Sequence, residues 1–194
     1  MITARAVDRH VEQLFDVLRR LHAALTSANI PYRVVGGLGV FLQVSAKDPL
    51  AARLTRDVHI AIGRKDLARV AAAAQPFGFR YRHAAGVDLL VDTKEPEARS
   101  AIHFVFVREK VRADYVESVP DFSTPTVTEE GILLAPAADL VRMKVTSFRL
   151  QDKVHLLDMD TVGLITPEIE ANLPVLLRDR LMQVRAEAQS TGAE

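Results

Sequence analysis

Residues 32–62 constrain this chain more than any other stretch. Tyr32-Arg33-Val34-Val35 has the makeup of a short strand and runs straight into Gly36-Gly37. After the pair, Leu38, Val40, Phe41 and Val44 form the apolar face of a short helix. The pattern predicts a strand that turns into a helix at two glycines. Backbone can approach an anion closely at such a joint, and the free N–H groups of the helix point toward it. A polar loop, Ser45–Arg53, leads to Leu54-Thr55-Arg56-Asp57-Val58-His59-Ile60-Ala61-Ile62. A strand over 57–62 puts Asp57, His59 and Ala61 on one face and Val58, Ile60 and Ile62 on the other. Side chains two positions apart on one strand face stand roughly 6–7 Å apart at their Cα atoms, so Asp57 and His59 can share one cation.

Around this centre the periodicities alternate. Val7, Val11, Leu14, Phe15, Leu18, Leu21 and Leu25 recur at helical spacing, and Asn29 and Pro31 close that helix. His10 and His22 fall on its solvent side or boundary. Leu67, Val70, Ala71 and Ala74 predict a second helix, closed by Gly78. Phe79–His83 and Val87–Val91 read as a hairpin around Ala84-Ala85-Gly86. A charged loop, Asp92–Arg99, precedes a strand over Ala101–Val107, and Val111–Tyr115 extends or follows it. The stretch between Pro120 and Pro125 is an irregular connector, and Gly131–Leu134 is a short strand. Pro136 opens a helix through Leu140, Met143, Lys144, Ser147 and Phe148. Helices over Lys153–Gly163, from Pro167, and from Pro174 to about Gln189 follow, with Ser190–Glu194 as a frayed tail. The expected fold class is α+β: a mixed sheet with flanking helices and a helical C-terminal third. The expected organisation is a core over 1–135 and a helical segment over 136–190 packed on it as one unit.

Composition excludes several functions. Lys plus Arg and Asp plus Glu both number 25, so the net charge is zero and no bulk basic field draws the chain to nucleic acid. The absence of cysteine removes disulfides, thiolate metal sites and cysteine nucleophiles. Met1–Arg20 is broken by Arg5, Asp8, Arg9, Glu12 and Asp16 and does not read as a secretory signal. No apolar run approaches the ~18 residues that span a membrane. A cytoplasmic location without membrane contact is therefore expected. Nothing in the motifs supports a serine hydrolase.

Gly36-Gly37 followed by Thr55-x-Asp57-x-His59 resembles the signature of the DNA polymerase beta nucleotidyltransferase superfamily, a glycine pair and then Asp-x-Asp on the next strand. The nearest branch is the AbiEii/AbiGii toxin-like one. Its closing helix reads Glu-x-Lys-Leu, then Arg-x-x-Asp and a later Asp, and it is similar to the stretch holding Lys144, Arg149, Asp152 and Asp158 here. The resemblance covers roughly residues 30–165. It implies a glycine pair that holds a nucleoside triphosphate and carboxylates that hold magnesium. Gly36, Gly37, Thr55, Lys144 and Arg149 become the candidate nucleotide-binding residues, and Asp57 and Lys144 the candidate catalytic ones. Lys153 is a further candidate for phosphate, with Asp152 and Asp158 as partners.

Two departures stand out. The spacer Leu38 to Arg56 is longer than usual, and His59 replaces the second carboxylate. The third family carboxylate aligns best with His103, in Ile102-His103-Phe104-Val105. Asp88, in Val87-Asp88-Leu89-Leu90, matches that motif in letters but falls on the preceding hairpin. Asp57, His59 and His103 make a poor magnesium cage, because magnesium prefers oxygen, and a better set for zinc, manganese or iron(II). A changed metal site and a decayed one both stay open. So do the two functions that follow: a nucleotide- or partner-binding protein of a toxin–antitoxin or phage-defence pair, and an active enzyme moving a nucleoside monophosphate to an RNA or protein hydroxyl. A metal-dependent hydrolase on the altered triad is a third reading. Arg33, Arg108, Lys110 and Arg112 lie around the same sheet as ordinary surface charge.

Overall fold

A computed structural model of the chain describes residues 4–55, 57–94 and 101–191, with side chains between 11 and 190. Arg56, the charged loop beyond Lys94 and the tail beyond 191 lie outside the described residues, as do the side chains of Val7 and His10. The first helix, α1 (Ala4–Ser27), ends at Asn29, whose φ of 51° turns the chain into β1 (Tyr32–Val35). Helix α2 (Gly36–Ser45) follows with no intervening loop. β2 (Val58–Ile62) leads through a 3-10 turn into α3 (Leu67–Ala74). β3 (Phe79–Ala84) and β4 (Val87–Asp92) make the hairpin, and β5 is Ile102–Phe106. β6 (Thr126–Val127) and β7 (Leu133–Leu134) precede α4 (Ala137–Ser147), α5 (Leu150–Thr161), α6 (Pro167–Ala171) and α7 (Val175–Thr191).

The strands form one seven-stranded mixed sheet in the order β3-β4-β5-β2-β1-β7-β6. β2 runs parallel to β5, and β1 parallel to β7; β1–β2, β3–β4, β4–β5 and β6–β7 are antiparallel. The expected mixed sheet with flanking helices is the observed architecture. β6 was not foreseen, and Val111–Tyr115 is loop rather than strand. Asp57 sits just before β2 instead of within it.

Alternation along the central strands divides the core in two. Val58, Ile60, Ile62, Ile102 and Phe104 pack with Leu14, Leu18, Leu21 and Leu25 of α1 and Val70 of α3. Ala61, on the other face, packs with Leu140, Val141 and Val145 of α4, Leu156 and Met159 of α5, and Leu177, Leu181 and Val184 of α7. This second face presents His59 and His103 as well, one pleat away from Ala61 and Val105. The sheet thus carries its polar pair under the C-terminal helices, and a cleft opens between them.

Candidate functional site

The cleft begins where β1 ends. Gly36 has a φ of +68°, a left-handed backbone that favours glycine, and a Cβ there would lie 3.1 Å from the Cβ of His59. At Gly37 a Cβ would meet Thr55 Oγ1 at 2.6 Å and His155 Cε1 at 3.3 Å. The glycine pair therefore lets three side chains of this chain close on the turn. Among the described residues no side chain hydrogen-bonds the N-terminus of α2 as a cap, and a helix N-terminus is where N–H groups can meet an anion.

β2 and β5 place His59 and His103 as direct register partners. Their rings stack with centroids 5.2 Å apart and planes 24° from parallel. Burial pushes His59 down to about 4, the neighbouring His103 pushes the same way, and Asp57 only partly opposes them. His59 is thus an uncharged imidazole at neutral pH. Asp57 lines the cavity from the mouth of β2. Asp88, the alternative to His103, belongs to the other face of the sheet. Leu89 is the residue paired with His103, and strand alternation sends Asp88 away from it. There its carboxylate accepts hydrogen bonds from Tyr81 Oη at 2.6 Å and from His83 Nδ1 at 2.7 Å.

The opposite wall is the turn from α4 to α5. Phe148 closes α4 with a φ of 49°, and α5 starts at once. Inside the turn Asp152 is fully buried and accepts five hydrogen bonds: from Lys144 Nζ at 2.7 Å, Ser147 Oγ at 2.7 Å, Arg149 Nε at 2.8 Å, the Arg149 N–H at 3.2 Å and Arg149 Nη2 at 3.4 Å. Burial alone raises the Asp152 carboxyl. The Arg149 hydrogen bond and the Lys144 charge outweigh it and hold the group far below the usual carboxylate range. Burial also lowers the Lys144 ammonium. The buried lysine has the anion that its place in an apolar stripe demanded.

One cavity of about 370 Å³ gathers Gly36, Gly37, Thr55, Asp57, His59, Lys144, Ser147 and Arg149. Gly36, Gly37, Thr55, Lys144 and Arg149 are the nucleotide-binding candidates of the sequence, Asp57 and His59 are metal candidates, and Ser147 is not among its site candidates. His103 lies beneath the cavity as the partner of His59 and does not line it. Lys153 turns away, pairing with Glu187 at 2.9 Å, and Asp158 pairs with Arg53 at 2.9 Å. Arg33 and Arg108 are tied to Ser123 and Asp121, whereas Arg112 lines the cavity.

Several polar lining residues escape sequence reasoning, three of them titratable. Tyr115 and Glu117 come from the loop after β5, and His155 comes from α5. His155 is buried, its Nδ1 has no hydrogen-bond partner among the described residues, and burial followed by the Lys144 charge pushes it down to about 4. No local pattern singles it out, because only the tertiary approach of α5 to Gly37 gives it a place.

The donor set does not fit a magnesium cage. Magnesium takes octahedral oxygen at about 2.0–2.1 Å, and Asp57 is the one carboxylate of the expected triad. Stacked rings hold their lone pairs in two nearly parallel planes instead of converging them on a single ion. Among the described residues no group of three or more His, Cys, Asp or Glu side chains could hold a metal.

No protein-family model matches the sequence, and no curated protein matches it. Solved structures do. An antigenic nucleotidyltransferase-like protein from Paracoccidioides brasiliensis shares 18% identity at a TM-score of 0.62, over 94% of this chain and 91% of the other. The crystal structure of ANT(2'')-Ia in complex with adenylyl-2''-tobramycin shares 11% identity at a TM-score of 0.50, over 84% of this chain and 94% of the other. The seven-stranded mixed sheet, its flanking helices and this likeness together make the fold of the chain nucleotidyltransferase-like.

Proposed function

We propose that this protein binds a nucleotide in the cleft of a nucleotidyltransferase-like fold and does not transfer it. The observation that carries the reading is the convergence of Gly36, Gly37, Lys144 and Arg149 on one cavity whose metal-facing positions hold imidazoles. In this reading the α2 N-terminus, Thr55, Lys144 and Arg149 take the phosphate. Nucleotidyl transfer relies on cations to neutralise developing charge on phosphate and leaving oxygen. Asp57 alone does not assemble them. The AbiEii/AbiGii-like pattern of the sequence supports a setting in a bacterial cytoplasm beside an antitoxin or phage-defence partner. Among the described residues no helix is long and apolar enough to cross a membrane.

The second reading is an active transferase, and Asp57 at the cavity wall favours it. Both are tested by incubating wild type and His59→Asp with labelled nucleoside triphosphates, magnesium or manganese, and total cellular RNA and protein. Calorimetry on the same preparations reports nucleotide binding. The expected result is binding by the wild type with no label transferred. Transfer by the wild type establishes the enzyme, and absence of any nucleotide binding removes the first reading.

A further inference from the structure

We infer that the cleft takes a nucleoside monophosphate without any divalent cation, with the stacked His59–His103 pair standing on the strand positions where a cation cage would need oxygen. This rests on the nucleotide-binding reading and narrows it to a ligand class and a mode of binding. Three observations carry it.

The first is the register. β2 and β5 run parallel with His59 opposite His103, so the two rings share one patch of the sheet and fill it by stacking on each other. Gly36 is closed against the same His59 ring, which leaves the pair wedged between the sheet and the turn. Two faces in contact cannot both turn their nitrogens on a shared ion without breaking the stack.

The second is charge. Arg112, Lys144 and Arg149 line the cavity, and so do Asp57 and Glu117. Asp152 lies behind Lys144 and Arg149 and bonds to both. Among the described residues these three cations are matched by three anions. A triphosphate carries several negative charges that metal ions neutralise in phosphoryl-transfer sites, and nothing in this balance replaces them. A monophosphate brings about −1.5 to −2. The α2 N-terminus, with a positive end of roughly half a charge, and the exposed flank of Arg149 can meet that load.

The third is shape. At about 370 Å³ the cavity is small for a ligand site, which typically spans ~300–1,000 Å³. Val87, Val105 and Val111 add apolar surface to the lining, suited to the face of a base rather than to further phosphates.

The test is calorimetry on the full chain with AMP, GMP, CMP and UMP and with the matching triphosphates. Each titration is run in EDTA and again in magnesium, manganese or zinc. The expected result is one monophosphate whose Kd is unchanged between EDTA and every cation, and whose triphosphate binds roughly tenfold more weakly in EDTA. A Kd that tightens with an added cation, or a preferred triphosphate, overturns this inference and leaves the nucleotide reading intact. Silence with every nucleotide overturns both. A second measurement titrates magnesium alone. Wild type is expected to bind none, and His59→Asp/His103→Asp, shown to be folded by circular dichroism, is expected to bind it. Magnesium binding by the wild type, or none by the folded variant, overturns the assignment of these positions.

Discussion

At the scale of the residue, Asp152 decides the geometry of one whole wall. Its carboxylate holds Lys144, Ser147 and Arg149 at once and is itself fully buried. Removing one member of a buried ion pair strands the other and costs about 3–5 kcal/mol. Asp152→Ala is therefore expected to lower urea stability by that amount. Lys144→Met/Asp152→Leu, which deletes both charges, is expected to recover much of the loss, measured as a non-additive double-mutant cycle. The histidines give a different signature. His59 and His155 sit at about 4 in the folded protein against an ordinary 6.5. The unfolded chain takes up protons first as pH falls, so their stabilisation is complete above 6.5 and drains away between 6.5 and 4. His59 alone contributes at most about 3 kcal/mol. Urea midpoints measured from pH 7.5 to 4 should fall through this window, and His59→Gln should flatten the fall. The sequence made His59 conspicuous because its neighbours alternate. It did not reveal His155, whose role depends on α5 reaching Gly37.

At the scale of the element, helix ends and short strands mark where sequence reasoning held and where it stopped. β1, α2 and β2 were legible because glycine, apolar spacing and alternation agree over one stretch. β6 was not, because two residues carry no period. Val111–Tyr115 has the side chains of a strand yet forms a loop. The reason lies at its neck: Arg108 N–H bonds Val119 O at 2.8 Å and Val119 N–H bonds Glu109 O at 2.9 Å, so the chain doubles back before it can pair. The choice between Asp88 and His103 could not be made from letters either, since a shift of one residue in strand register reverses the face. The α4–α5 turn is further secured by α7. Arg180 donates to Val145 O and Thr146 O, both at 2.9 Å, and its guanidinium lies 5.1 Å from the centre of the Phe148 ring. These carbonyls belong to the last turn of α4, where a cation is favoured. Arg180→Ala is expected to cost about 1.5–3 kcal/mol in chemical denaturation, with Arg180→Lys recovering part of it.

At the scale of the whole molecule, fold class was legible because the order of elements was. The faces of the sheet could be assigned from alternation, whereas the strand order required the structure: β5 inserts beside β2, and β7 beside β1, across long stretches of chain. That order leaves β3 at one rim. Beyond Phe79 every residue of β3 is exposed, and Arg80, Arg82 and His83 lie along it. A chain with zero net charge has no long-range repulsion between copies, so its colloidal behaviour rests on local charge. Two copies meeting rim to rim at β3 would bring arginine against arginine, which resists the strand pairing that an open rim invites. Arg80→Val/Arg82→Val is expected to leave the folding transition nearly unchanged while raising light scattering in concentrated solution at low salt. On this expectation two arginines at the rim of the sheet do the work of a solubility tag.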